Sequence, residues 1–313
     1  MALAILCSGQ GRQHRGMFAL TGNAPEAEAL FTHATKLLGG HDPRELVLTE
    51  DQAMLHRNRV AQILCCLQPL AAIAALRSSL PERLVVAGYS VGEVAAWGVS
   101  GCLSAVDALD VVARRAEVMD AASAAGDGLR FVRGLRREYV EQLCERHDVA
   151  IAIVNPGDAF VIGGSGAGLE AFEKAAREMR ASKVLRLPVQ VASHTPRLAS
   201  ASPAFREILG NARVRAPASG TRLLSGVDGA PVIDVQAGLD KLAAQISHTV
   251  EWAACLQGCI EAGATAFLEL GPGPGLSQMA AAAAPEIPAR SLDEFRTLQG
   301  IRAWLAGRFT ASG

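Results

Sequence analysis

The segment that most constrains the fold is 85–93, which reads Val-Val-Ala-Gly-Tyr-Ser-Val-Gly-Glu. An apolar, strand-forming run stops at Gly88, and a helix-compatible stretch begins at Glu93. This arrangement is typical of a nucleophile elbow, in which a serine lies on a tight turn between a strand and a helix. Ser90 would then expose its hydroxyl beside the free N–H groups of the next helix, where an oxyanion is favoured. A chance match is the alternative in a chain with 31 glycines, but the flanking strand and helix favour the functional interpretation.

Length and charge restrict the class of protein. The 313 residues suffice for one large α/β domain with an insertion, or for two domains. Half of the residues are hydrophobic and 19% are charged, which indicates a well-buried globular protein. The formal net charge of −1 indicates no general attraction to nucleic acid or to anionic membranes.

Cysteine spacing and apolar segments bear on compartment and cofactors. The seven cysteines form no CxxC pair and accompany no histidine pattern for zinc, which favours reduced thiols and no bound metal. The apolar start Met1–Cys7 is too short for a signal sequence, and Gln68, Pro69 and Arg77 interrupt the longest apolar stretch. We therefore expect a cytoplasmic protein without a membrane span.

The two outer parts of the chain mix buried strands with helices. Ser104-Ala-Val-Asp107 resembles a capping box at the start of a helix that runs to Ala122. The remaining predictions here are strands at Ala2–Cys7, Val85–Tyr89 and Ala266–Leu270, and helices at Asn58–Ser78, Arg197–Leu209 and around 235–262.

The middle of the chain has a different pattern, strand-helix-strand-strand-helix-strand, which is the ferredoxin-like arrangement. Its predicted elements are Phe131–Val132, Arg137–Arg146, Val149–Val154, Ala159–Gly163, Gly168–Arg180 and Val184–Leu187. We therefore predict an α/β protein with two domains. A large α/β-hydrolase-like domain with a parallel core sheet would comprise 1–128 and 190–313, and a small ferredoxin-like α+β domain would comprise 129–189.

A serine hydroxyl needs a base to take its proton. Among seven histidines, His194 is the best candidate, because it follows an apolar strand and precedes a proline turn. Binding residues gather in such strand-end loops. A structural, hydrogen-bonded histidine is an equally good interpretation at this point, and His248 is the second candidate base.

An ordered set of motifs resembles the malonyl-CoA:acyl carrier protein transacylases over nearly the whole chain. Within that group the chain is most similar to the epsilon subunits of malonate decarboxylase, because of the opening 6–14 and of Tyr89 in the elbow. The shared motifs are Ser8-Gly-Gln-Gly11, Gly88–Glu93, Arg115, Asn155-Pro-Gly, Ser193-His194, Gln245, Val250-Glu-Trp252 and Glu269–Gly273.

The resemblance implies a catalytic pair. Ser90 would attack the malonyl thioester, and His194 would act as general base and then as general acid. In the family, a backbone carbonyl near the Gln245 position orients the imidazole, and no carboxylate completes the pair. The backbone N–H groups of Gln10 and Val91 would form the oxyanion hole.

The resemblance also implies binding residues. Arg115 would hold the free malonyl carboxylate, although without the resemblance its sequence favours a solvated helix residue like Arg114. Asn155 and Gln245 match positions that line the family's site. The implied partners are malonyl-CoA, an acyl carrier protein with a phosphopantetheine-type arm, and further subunits of malonate decarboxylase, and the implied reaction needs no metal or redox cofactor. Carrier proteins are usually acidic, so Arg130, Arg133, Arg136 and Arg137 are candidates for docking, although a solvated run of charges is an equally good interpretation.

The chain departs from the usual family pattern at two positions. Tyr89 stands where the elbow usually has histidine, and Ser8 stands where the opening usually has proline. Neither change removes a catalytic atom. They leave substrate preference and choice of carrier open, and hence also the alternative role of a malonyl transacylase of fatty-acid synthesis.

Two other functions compete with acyl transfer. A serine esterase or thioesterase of the α/β-hydrolase type also uses Gly-x-Ser-x-Gly, but it places its histidine late in the chain, and a ferredoxin-like insertion is unexpected there. A non-catalytic carrier-binding subunit could keep the fold alone. The presence of Ser90, His194 and Arg115 together argues against that role.

Overall fold

Ten strands and thirteen α-helices make up the computed structural model, which describes residues 1–309. The strands are β1 (Ala2–Cys7), β2 (Leu84–Gly88), β3 (Gly128–Arg133), β4 (Val149–Asn155), β5 (Ala159–Gly164), β6 (Lys183–Arg186), β7 (Thr221–Leu223), β8 (Val250–Glu251), β9 (Ala264–Glu269) and β10 (Ala289–Ser291). The helices are α1 (Glu28–Leu37), α2 (Pro43–Thr49), α3 (Gln52–Leu55), α4 (Asn58–Leu76), α5 (Gly92–Val99), α6 (Ala105–Ala122), α7 (Arg137–His147), α8 (Gly166–Glu178), α9 (Ala201–Gly210), α10 (Val235–Ala244), α11 (Trp252–Glu261), α12 (Gly275–Ala283) and α13 (Leu298–Phe309).

The first sheet is parallel throughout and has the order β10-β9-β1-β2-β7. All six residues of the central strand β1 are buried, which matches its continuous apolar sequence. A parallel strand buried on both faces has no polar side to expose. The prediction of an α/β fold around a parallel sheet is confirmed.

The second sheet is mixed and has the order β6-β3-β5-β4-β8. Its first four strands pair antiparallel, and helices α7 and α8 contribute to an apolar core of their own beside it. The fifth strand, β8, comes from much later in the chain and pairs parallel to β4. Side chains of this sheet, among them Leu129, Ile153 and Val161, also pack into the main core. The division of the chain into two domains at 129–189 therefore stays a prediction.

Helix α4 lies in the middle of the main core. By length and composition alone, Asn58–Ser79 is the one segment among residues 1–309 that could cross a membrane, and 83% of its apolar window is buried inside the protein. Two of the three residues expected to interrupt it, Gln68 and Pro69, lie within the helix and are buried, and the third, Arg77, follows its last residue. Its hydropathy is that of a core helix packed on all sides.

The predicted elbow joins β2 to α5. Ser90 has a φ of 56°, a left-handed conformation that is uncommon for a residue with a side chain. Gly92 lies directly against the backbone carbonyl of Cys7 on the neighbouring strand β1, so a Cβ at this position would overlap it. The turn is therefore held by close contact between two backbones, and it presents Ser90 above the carboxyl ends of β1 and β2.

Helix α6 begins as its sequence predicts. The Ser104 hydroxyl accepts a hydrogen bond from the Asp107 backbone N–H at 3.0 Å, which satisfies one of the free donors of the first turn. The helix ends at Ala122, and its phase buries Arg115 while it exposes Arg114.

Replacing Gly92 with alanine tests the packing of the elbow. We expect Gly92→Ala to lower the free energy of unfolding by about 1–3 kcal/mol, the usual effect of forcing a methyl group into a packed site. Gly307→Ala is the matched control, because Gly307 lies on an exposed helix with nothing within 4 Å of the added Cβ. The control should be neutral or stabilising by up to about 1 kcal/mol. Equal midpoints in urea denaturation for Gly92→Ala and the wild type would contradict this account.

Candidate active site

Ser90 and His194 are brought together from positions 104 residues apart. The Ser90 Oγ lies 2.7 Å from the His194 Nε2, within hydrogen-bonding distance. The elbow places the serine. The histidine has a left-handed φ of 63°, and its backbone N–H donates to the Ile246 carbonyl at 2.7 Å. Two strained residues fixed by the surrounding fold thus face each other, as strained residues at functional sites often do.

The second ring nitrogen of His194 fixes the tautomer. Its Nδ1 lies 2.6 Å from the backbone carbonyl oxygen of Gln245. A carbonyl oxygen can only accept a hydrogen bond, so Nδ1 carries the proton and Nε2 presents its lone pair to Ser90. Burial, together with the nearby positive charge of Arg115, lowers the pKa of His194 to about 3, while the Gln245 carbonyl opposes the shift. The imidazole is therefore neutral at physiological pH and ready to accept a proton.

Two predicted oxyanion donors lie beside Ser90. Gln10 lines the same pocket as Ser90 and His194, and Val91 follows Ser90 directly in the turn. Within residues 1–309, the backbone N–H of neither residue donates to a protein acceptor. The Gln10 side chain is held by Asn58, whose Oδ1 lies 3.3 Å from the Gln10 Nε2. The role of both N–H groups in stabilising an oxyanion stays a prediction.

Arg115 is completely buried behind the serine and histidine. Its Nη1 donates to the Gln62 Oε1 at 2.7 Å, and its Nη2 donates to the Gln245 Oε1 at 3.1 Å. Its Nε has no partner within residues 1–309. Burial lowers the pKa of Arg115 to about 10, and the charge of Glu93 opposes the shift, so the guanidinium keeps its charge at neutral pH. Both hydrogen-bonded partners are neutral amides, so no carboxylate contacts the guanidinium directly and its charge can attract an anion.

Two residues at this site escaped the sequence analysis. Gln62 holds one arm of Arg115, and the buried carboxylate of Glu93 accepts a hydrogen bond from the Gln245 Nε2. The signal for Glu93 was present in the sequence, since it is the one charged residue in α5, Gly-Glu-Val-Ala-Ala-Trp-Gly-Val, which is otherwise apolar. A charge is rarely buried in such a helix without a partner. No comparable signal marked Gln62 in α4.

Tyr89 lines the pocket that holds Ser90 and His194, and the side chain of Asn155 lies beside it. The Tyr89 ring stacks edge-on against Trp252 with 5.3 Å between the ring centroids. Burial raises the pKa of the Tyr89 phenol, and the side chain of Asn155 opposes that shift. Asn155 ends strand β4 and is buried, and its Oδ1 has no hydrogen-bond partner in residues 1–309. A direct role of Asn155 in substrate binding stays a prediction.

His248, the second candidate base, lies elsewhere. It is exposed, and its Nδ1 is 2.9 Å from the Ala244 carbonyl oxygen. Ser8, by contrast, contributes to the frame of the site, because its hydroxyl donates to the Glu269 Oε1 at 2.7 Å. The other oxygen of Glu269 accepts from the Ser277 N–H at 2.7 Å. One buried carboxylate thus joins the loop before Gln10 to the start of α12.

The opening above Ser90 has apolar walls. The second sheet and the chain that follows it cover the serine and histidine and contribute the pocket residues Leu129, Ile153, Val161, Leu187 and Val189. Apolar walls of this kind reduce the access of water to the serine. The described residues contain no group of three or more His, Cys, Asp or Glu that could hold a metal.

Comparisons with known proteins show which families and solved structures this chain is similar to. The acyl transferase domain family matches residues 5–296. The malonyl CoA-acyl carrier protein transacylase of Mycobacterium tuberculosis is 32% identical over 300 residues, which cover 93% of this chain and 96% of the relative. The solved acyl-carrier-protein S-malonyltransferase of Burkholderia pseudomallei superposes with a TM-score of 0.88 at 28% identity and covers 97% of this chain and 100% of that structure. The solved malonyl CoA-acyl carrier protein transacylase of Coxiella burnetii superposes with a TM-score of 0.90 at 25% identity. The match covers 99% of this chain and 98% of that structure.

The low pKa of His194 predicts an unusual pH dependence for Ser90. Because the imidazole is neutral until the pH falls towards about 3, the rate of Ser90 labelling by an uncharged fluorophosphonate should change less than about twofold between pH 6.5 and 5. A histidine with an ordinary pKa near 6.5 would lose more than about tenfold over the same range. His194→Ala should abolish the labelling. A fall that tracks an ordinary histidine would contradict the neutral, buried base.

Proposed function

The chain belongs to the acyl transferase domain family, and we propose that it transfers a malonyl group from malonyl-CoA to the thiol of an acyl carrier protein. The reaction would proceed through a malonyl ester of Ser90. The observation that carries the proposal is the 2.7 Å contact between Ser90 and a neutral His194 held by the Gln245 carbonyl. The malonyl transacylases among its relatives support the choice of acyl group and acceptor.

In the first half-reaction, the Ser90 Oγ attacks the thioester carbonyl carbon while His194 Nε2 takes the hydroxyl proton. The Gln245 carbonyl stabilises the imidazolium through the Nδ1–H hydrogen bond. The N–H groups of Gln10 and Val91 receive the tetrahedral oxyanion, and single donors of this kind contribute about 3–4 kcal/mol. The C–S bond then breaks, His194 returns the proton to the departing CoA sulfur, and malonyl-Ser90 remains.

In the second half-reaction, the carrier thiol occupies the place that CoA has left. His194 takes the thiol proton, the sulfur attacks the ester carbonyl of malonyl-Ser90, and the same N–H groups hold the second oxyanion. When the ester C–O bond breaks, the proton returns to the Ser90 oxygen and the malonyl thioester leaves on the carrier. One thioester replaces another, so the site mainly has to stabilise two oxyanions and to exclude water.

Arg115 gives the proposed reaction its preference for a carboxylated acyl group. A charged guanidinium in a buried site attracts a carboxylate strongly because water competes little there. Its two hydrogen-bonded arms contact the amides of Gln62 and Gln245, and these amides can be exchanged for the oxygens of malonyl. Acetyl offers no such group.

The structure narrows the candidates for carrier docking. Arg130 is buried and paired with Glu173 at 2.9 Å, so its candidacy as a docking residue was wrong. Arg137 pairs with Glu141 at 2.8 Å. Arg133 and Arg136 remain exposed on the second sheet and its following turn, and we propose that they face the acidic carrier.

The identity of the carrier separates two biological roles. Loading the carrier subunit of malonate decarboxylase rests on the opening 6–14 and on Tyr89, whereas the relatives compared above are malonyl transacylases and favour an ordinary acyl carrier protein. Transfer rates measured with each purified carrier at equal concentration decide between them. A preference for the ordinary carrier removes the decarboxylase role.

The acyl-enzyme should pass its malonyl group to a carrier thiol much more often than to water. With malonyl-CoA and a holo acyl carrier protein present together, we expect malonyl-carrier to form much faster than free malonate, because the apolar walls limit the access of water to the ester. Chromatography of both products measures the ratio. Predominant malonate would support an esterase or thioesterase, and absence of both products would support a non-catalytic subunit.

Substituting Arg115 tests the recognition of the carboxylate. Arg115→Ala should reduce kcat/KM for malonyl-CoA by about 100-fold, the effect of losing a charge-assisted contact, and should change acetyl transfer by less than about threefold. Arg114→Ala is the matched control, because this neighbouring arginine is exposed on the same helix. Equal losses for both acyl groups would mean that Arg115 only supports the fold.

A further inference from the structure

Glu93 is a completely buried carboxylate three residues beyond the nucleophile. Its Oε2 accepts a hydrogen bond from the Gln245 Nε2, and its Oε1 has no partner within residues 1–309. The backbone of Gly226 closes over the same oxygen, and a Cβ there would lie 2.5 Å from the Glu93 Oε2. Neither Ser90 nor His194 contacts this carboxylate, and the proposed mechanism assigns no step to Glu93.

A single amide separates Glu93 from Arg115. The Gln245 Nε2 donates to Glu93, and the Gln245 Oε1 accepts from Arg115 Nη2. Burying a guanidinium with neutral partners alone is costly, and a nearby carboxylate offsets that cost. The charge of Glu93 indeed raises the pKa of Arg115 against the effect of burial. In the free enzyme, the ionised carboxylate of Glu93 is thus the counter-charge of Arg115. The side-chain amide of Gln245 lies between the two groups.

Arrival of malonyl changes this balance. The substrate carboxylate would contact Arg115 directly, which places two carboxylates beside one buried cation. Like charges in a low-dielectric site cannot both remain ionised without a large penalty, so one of them takes a proton. Burial raises the pKa of Glu93 to about 7, whereas the malonyl carboxylate would gain the direct contact with the guanidinium. Glu93 is therefore the group that becomes neutral.

We propose that Glu93 is a specificity-determining residue whose ionised form balances Arg115 in the free enzyme and takes up one solvent proton when a malonyl carboxylate binds. The inference rests on the proposed function. The proton goes to a carboxylate oxygen of Glu93 and returns to solvent when the malonyl group leaves on the carrier. Acyl groups without a carboxylate leave the Glu93–Arg115 pair undisturbed and take up no proton there.

The neighbours of Glu93 do not titrate in the range where the effect is expected. His194 is neutral because its pKa is near 3, and Arg115 stays charged because its pKa is near 10. Asp228 adds a negative charge that raises the pKa of Glu93 further. The thiols near Arg115 and Glu93 belong to Cys66 and Cys255, and burial raises the pKa of both.

The test measures kcat/KM for malonyl-CoA in the complete transfer reaction between pH 6 and 8.5. This parameter reports the ionisation of the free enzyme. For the wild type we expect a fall of about 30-fold, because the pKa of Glu93 is about 7 and the ionised carboxylate repels the substrate. Glu93→Gln should keep kcat/KM within about threefold over the range, since the amide does not ionise and retains an oxygen that can accept from Gln245. Acetyl-CoA should give flat profiles with both proteins.

Glu117→Gln is the matched control, because it removes one negative charge from an exposed position on α6. It should keep the slope of the wild type. A pH-independent wild type, or a Glu93→Gln variant that is slower by one factor at every pH with the slope retained, would overturn the inference and leave Glu93 a structural residue. A wild type that transfers no malonyl at any pH would instead refute the proposed function.

Discussion

The hydrogen bond from His194 to the backbone carbonyl of Gln245 is the interaction on which the rest of the site depends. A buried imidazole can act as a base only if one nitrogen keeps its proton and the other faces the nucleophile. Here a peptide group, which is fixed by the end of α10 and cannot ionise, does this work at 2.6 Å. The same residue also binds the Ser90 carbonyl, Glu93 and Arg115 through its side chain. Gln245 therefore contacts both the base, through its backbone carbonyl, and the proposed carboxylate site, through its side chain.

The two sheets form different parts of the site around Gln245. The parallel sheet carries the elbow, where Gly92 lies against β1 and Ser90 has a left-handed conformation. The mixed sheet supplies apolar walls above the serine and shares core residues with the parallel sheet. Strand β8 ties them further, because it pairs with β4 and its Glu251 N–H donates to the Gly226 carbonyl in the loop over Glu93. Substrate thus meets rigid backbone on one side and apolar side chains on the other.

Local features of the sequence predicted the local structure well. The elbow, the buried strand β1 and the Ser104 cap each depend on a few neighbouring residues, so their patterns are visible without the fold. Strand β8 has only two residues and is stabilised by pairing with β4, which is distant in the chain. No sequence pattern predicted it. The network of Gln62, Glu93 and Arg115 joins helices that are far apart in the chain, so spacing alone could not assemble it. Ser8 was noticed as a departure, but its bond to Glu269 follows only from the folded structure.

The central claim is that Ser90, activated by a neutral His194, carries the acyl group between two thiols. The most direct measurement is peptide mass spectrometry of the protein quenched within the first turnover after mixing with malonyl-CoA. The account predicts one malonyl group on the peptide that contains Ser90, lost when holo carrier is added and absent in Ser90→Ala. An unmodified Ser90 peptide in an enzyme that still forms malonyl-carrier would contradict it.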